Sequence, residues 1–144
     1  MKQKGFTFIE IVVAILIIGI FSTCLGMGMK LVEQAKFKGT VCEVVNNLEY
    51  VKNAAACTGR QYNCYCFDNR ILFRTNMDCL EKVYLSEHMS IPGDCSGKEI
   101  YFNGTIAPRR AGTIIIKDDL LEMQARITVS VATGKVRVYY EQLC

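Results

Sequence analysis

Three patterns of apolar and polar positions follow one another along the chain. From Ile11 to Met29 no residue is charged, and the string reads IVVAILIIGIFSTCLGMGM. Phe6 to Glu10 extends this to 24 residues in which Glu10 is the only charge. About 20 apolar helical residues cross a bilayer core of roughly 30 Å, so the stretch predicts a transmembrane helix. After Met29 the pattern becomes amphipathic. Val41, Val44, Val45, Leu48, Val51 and Ala55 recur three or four residues apart, while Glu43, Asn46, Asn47, Glu49, Lys52 and Asn53 fall on other faces. That spacing predicts a half-buried helix packed on something. Thr58-Gly59 offers a stop, with Gly59 in the C′ position. A single helix from Phe6 to about Cys57 would be roughly 75–80 Å long at 1.5 Å per residue, with Gly39-Thr40 as a candidate bend.

From Gln61 onward the third pattern is β. Tyr62–Phe67 and Ile71–Arg74 are short β-prone runs around the turn pair Asp68-Asn69. Lys82–Leu85 and Ile100–Phe102 are further short strands, and Asn103-Gly104 is a hairpin-type turn. Ile91-Pro92-Gly93-Asp94 reads as a turn or loop. Gly112–Ile116 is a compact apolar strand. Ile127, Val129 and Val131 alternate with polar residues, and so do Val136, Val138 and Tyr140 after Ala132-Thr133-Gly134. Two alternating runs about a Gly-containing turn predict an antiparallel hairpin with one buried face, laid over the amphipathic helix. The fold class is therefore α+β: a long N-terminal helix against a small antiparallel β-sheet head.

Composition narrows the setting. A chain of 144 residues with 51% hydrophobic residues is long enough for one packed domain and too apolar for a disordered one. Eight cysteines suit an oxidising, extracytoplasmic compartment. Lys2 and Lys4 precede the apolar run, and the positive-inside rule leaves that end in the cytoplasm and the head outside. A secretory signal peptide fits poorly, since the run is too long and no small-x-small site follows it. A plain signal anchor fits the length but leaves Glu10 unexplained. A carboxylate held at depth in a membrane costs up to about 2.5–3.5 kcal/mol, and intramembrane ionisable groups are functional candidates by default.

The string Lys4-Gly5-Phe6-Thr7-Phe8-Ile9-Glu10 before an apolar helix resembles the class III leader of the type IV pilin superfamily. The resemblance implies cleavage by a prepilin peptidase between Gly5 and Phe6 and methylation of the new Phe6 amine. It further implies assembly through Glu10 of one subunit and the Phe6 amine of the next. The expected partners are other pilin or pseudopilin subunits, prepilin peptidase, the membrane and an inner-membrane assembly platform. The segments are then a cleaved leader at 1–5, a membrane and filament-core helix at 6–29, an amphipathic helix at 30–58 and a stapled β-rich head at 59–144. Major pilins often carry a proline in this helix; here the region holds Gly19, Gly26 and Gly28 instead, which lower helix stability by about 1 kcal/mol each relative to alanine or serve as small packing residues. A second likeness covers Phe102-Asn103-Gly104, Gly112-Thr113-Ile114, Ile127-Thr128-Val129 and Gly134–Val138. These resemble the end of minor pseudopilins of the type II secretion H-subunit and Gram-positive competence class. Residues 60–100 resemble nothing.

Removing the leader changes the charge. Of 17 basic residues, Lys2 and Lys4 leave with it, so the mature chain carries 15 against 14 acidic ones, a balance of +1. Net charge then gives no strong nucleic-acid signal. Locally, Arg109, Arg110, Lys135 and Arg137 form a candidate DNA-facing patch of a competence pilus; a solvated strand face is the simpler reading. Cys42, Cys57, Cys64, Cys66, Cys79, Cys95 and Cys144 are available for disulfides. Cys42 and Cys57, about 22 Å apart on one helix, cannot bridge each other. Cys64 and Cys66 point the same way from a strand and are expected to pair elsewhere. The connectivity stays open. Zinc is disfavoured by the C-x-C spacing and the single histidine, and C-x-x-C redox chemistry by its absence. Ser86-Glu87-His88 holds triad residue types, but adjacency is not triad geometry. Asp118-Asp119 reads as a turn pair and Asn103-Gly104-Thr105 as a turn. No catalytic residue, metal or cofactor is expected. The leading function is a structural filament subunit; the rivals are a DNA-binding competence pseudopilin and a single-pass anchored sensor or enzyme.

Overall fold

The computed structural model describes residues 7–75, 78–93 and 99–143, without the side chains of 24–27. The leader, the Gly5-Phe6 junction, Cys95 and Cys144 lie outside the described residues, as does the side chain of Cys24. Helix α1 runs Phe8–Thr58. The chain divides into two compact units, Met1–Lys36 and Phe37–Cys144.

In the first unit α1 begins on the Thr7 carbonyl, which accepts from the Glu10 and Ile11 amides at 3.0 and 3.4 Å. Its described side chains up to Val32 are exposed on every side. A helix that is apolar all round has no stable aqueous solution; it needs lipid or other helices around it. The candidate span is long and apolar enough to cross a membrane, and none of it is buried within the protein.

In the second unit the amphipathic pattern does what its spacing requires. Val41, Val44, Leu48, Val51 and Ala55 are buried, and Val45 is partly so. Phe37 joins them at the start of the same stripe, one turn before Val41. Helical structure continues through Gly39 and Thr40, so the candidate bend does not interrupt it. α1 ends as predicted: Gly59 takes φ of 67° and donates its amide to the Ala55 carbonyl at 3.0 Å.

The head differs from the expected single sheet. It holds two four-stranded antiparallel sheets. The first comprises β1 (Gln61–Phe67), β2 (Arg70–Thr75), β3 (Cys79–Tyr84) and β5 (Glu99–Asn103), in the order β3-β2-β1-β5. The second comprises β4 (Met89–Ser90), β6 (Thr113–Asp118), β7 (Met123–Val129) and β8 (Val136–Gln142), in the order β4-β6-β7-β8. Chain reversals set this division. After β5, Gly104 adopts φ of 67° and the chain closes a wide loop on the isolated Tyr101–Arg110 bridge rather than a tight hairpin. It then enters the second sheet instead of extending the first.

Other boundaries moved for local reasons. β3 starts three residues before the predicted Lys82, because the pairing with β2 slips between Phe73 and Arg74 and breaks the alternation there. Val131 is exposed beyond the end of β7, since the chain has already turned at Ser130 to reach Gly134. Two hairpins follow the prediction. Phe67 and Arg70 flank the Asp68-Asn69 turn, with the Arg70 guanidinium 5.2 Å from the Phe67 ring centroid. Ile127 faces Val138 and Val129 faces Val136 across β7 and β8. Inward side chains from both sheets join the helix stripe in one core, with Phe73, Phe102, Ile116 and Ile127 fully buried. The Tyr140 ring meets Phe37 edge-on at 6.4 Å.

Candidate functional site

The candidate assembly site is the start of α1. Glu10 lies in its first turn, where the partial positive charge of the unsatisfied amides favours a carboxylate. It is exposed and has no ion-pair partner among the described residues. Phe8, Ile9, Ile11, Ile15 and Leu16 around it are exposed as well. Burying side chains of this kind yields about 1.5–3 kcal/mol each. Enclosing the helix therefore drags Glu10 into an apolar setting, where an unpaired carboxylate is strongly disfavoured. The surface is driven to associate and penalised for associating without a cation at Glu10. Gly5 and Phe6, where the processing step is expected, lie outside the described residues.

The other candidate residues separate. Arg109 and Arg110 are exposed beside β5, where Arg110 bridges Tyr101. Lys135 and Arg137 are exposed on the β7–β8 hairpin, Arg137 opposite Thr128. The two pairs sit on different segments rather than in one row. Ser86, Glu87 and His88 form a tight turn, with the Met89 amide donating to the Ser86 carbonyl at 2.8 Å. No side-chain hydrogen bond joins the three among the described residues. The Asp118 carboxylate is buried and accepts the Leu120 and Leu121 amides, each at 3.0 Å. It caps the β6–β7 turn, consistent with the turn-pair reading. Thr105 closes its own turn onto the Ala107 carbonyl at 2.8 Å.

Cys64 and Cys66 point into the core from one face of β1, as their spacing requires, and both are buried. A hydrogen bond to Cys66, reinforced by burial, pushes the Cys64 thiol well above the usual range. Cys42, Cys57 and Cys79 are exposed thiols. No disulfide links the described cysteines with one another.

Comparison with known families places one match on this site. The family model described as the prokaryotic N-terminal methylation motif matches residues 1–23, which include the leader, Glu10 and the first turns of α1. Searches of curated proteins and of solved structures returned no match. The motif supports a type IV pilin-like subunit that prepilin peptidase processes and that assembles with other pilin-type subunits. The apolar helix fits membrane anchoring with an outer head.

Proposed function

We propose that the chain is a structural subunit of a type IV pilus or of a pseudopilus in a secretion or competence machine, a minor component and not an enzyme. One coincidence carries this reading: the methylation motif, a carboxylate in the first helical turn and apolar side chains on every side all occur at the same helix start. Prepilin peptidase cuts between Gly5 and Phe6 and the Phe6 amine is methylated. The subunit then waits in the cytoplasmic membrane with its head outside. During assembly Glu10 takes the Phe6 amine of a neighbour as its counter-ion, so docking out of register leaves a buried charge and is rejected. The minor-component reading draws on the resemblance of Phe102-Asn103-Gly104, Gly112-Thr113-Ile114, Ile127-Thr128-Val129 and Gly134–Val138 to the end of minor pseudopilins of the type II secretion H-subunit and Gram-positive competence class.

A photoreactive residue in place of Leu16, in the native host, tests this. Light is expected to link the chain to other pilin-type subunits, and deletion of the prepilin peptidase is expected to abolish the adducts. Absence of adducts in cells with an active peptidase would favour an anchored sensor or enzyme instead.

A further inference from the structure

The outer face of the second sheet is a small grid. Thr113, Thr128 and Arg137 lie across one rung, Ile115, Arg126 and Tyr139 across the next, and Lys117, Gln124 and Glu141 across the third. Glu141, the only acid on these rungs, is occupied by Gln124 at 2.6 Å and Arg126 at 3.4 Å. The hairpin end is different. There a shallow pocket of about 340 Å³ is lined by Thr128, Ser130, Thr133, Lys135, Arg137 and Tyr139. Neither Lys135 nor Arg137 has an ion-pair partner among the described residues. The Ser130 and Tyr139 hydroxyls make no hydrogen bond among the described residues, and Thr133 only accepts from the Lys135 amide at 3.4 Å. The Thr128 hydroxyl shares one hydrogen bond with Thr113 at 3.3 Å, which leaves part of its donor and acceptor capacity for a ligand.

We propose that this pocket binds an acidic saccharide, with its carboxylate on Arg137 and Lys135, its hydroxyls on Thr128, Ser130 and Thr133, and its C–H face on the Tyr139 ring. Guanidinium grips a carboxylate with two parallel hydrogen bonds. Hydroxyl side chains both donate and accept, as sugar hydroxyls do, whereas a phosphodiester only accepts. An aromatic ring supplies an apolar platform with a polar tip. Nucleic acid fits less well. Its affinity grows with the number of phosphates neutralised, and this pocket offers two cations on a chain whose net charge is only +3. The inference concerns the head alone and stands apart from the assembly reading; in a filament, repeated copies of the pocket would turn a weak contact into an avid one.

The test is calorimetric titration of the full chain in detergent with trigalacturonate. Binding is expected, with maltotriose at least about tenfold weaker because it lacks the carboxylate. Arg137→Ala should weaken trigalacturonate binding about tenfold or more. Arg137→Lys should recover part of the loss, and Lys117→Ala, on the far rung, should leave binding unchanged. No binding of trigalacturonate, equal binding of maltotriose, or insensitivity to both Arg137 variants would overturn the proposal. Tighter binding of a short single-stranded DNA, lost in the same variants, would overturn it in favour of a nucleic-acid contact.

Discussion

Glu10→Ala is expected to leave the chain membrane-inserted and cut between Gly5 and Phe6, yet to lower its incorporation into filaments about a hundredfold. The reasoning is a balance of two environments. Held in an apolar setting, an unpaired carboxylate costs up to about 2.5–3.5 kcal/mol. Pairing with a neighbouring amine on docking recovers a free energy of that order, and about 2.8 kcal/mol corresponds to a hundredfold in an equilibrium. Alanine removes the penalty and the recovery together, so the variant has nothing to gain from correct docking. Glu10→Gln keeps the side-chain length and loses the charge, and should fall near the alanine variant. Quantifying each variant in filament and membrane fractions checks this. Normal incorporation of either variant would show that the charge at Glu10 does not drive assembly.

Gly134→Ala is expected to destabilise the head by about 3 kcal/mol. Gly134 adopts φ of 62°, a conformation that costs an L-residue roughly 1–2 kcal/mol. A Cβ there would also collide with the Ile106 carbonyl and stand 3.3 Å from the Lys52 side chain. Overpacking against backbone adds about 1–3 kcal/mol. Gly39→Ala is the opposite case. Gly39 lies inside α1 with nothing near the position of a Cβ, so alanine there should stabilise by up to about 1 kcal/mol through helix propensity. Denaturant midpoints of the full chain in detergent separate the two. Equal midpoints for Gly134→Ala and the parent chain would mean that this turn and its contact with Ile106 are misplaced.

The N-terminal half of the molecule was legible because its signals are contiguous. A leader, a lone acid and an uninterrupted apolar run follow each other along the sequence, and a 3.6-residue period needs no knowledge of distant partners. The Asp68-Asn69 and Gly134 turns were legible for the same local reason. The division of the head into two sheets was not. Whether β5 and β6 share a sheet depends on where the chain goes between Gly104 and Gly112, and that is decided by the Tyr101–Arg110 bridge, an interaction without a local signature. β4 has only two residues and takes its pairing from β6, so no run of its own could reveal it. Phe37 carries no local signal because it stands alone between Lys36 and Lys38, although it lies on the stripe that continues through Val41 and Val44. The basic residues were legible as residues but not as a site: Lys135 and Arg137 share a pocket with four hydroxyl side chains that only the β7–β8 register gathers.

Under the proposed function this chain is a precursor whose trimmed N-terminus takes part in polymerisation. Mass spectrometry of the protein purified from its native host tests it at the first residue. A chain that begins at Phe6 and carries one methyl group on its amine is expected. A chain that still begins at Met1 in cells with an active prepilin peptidase would contradict it.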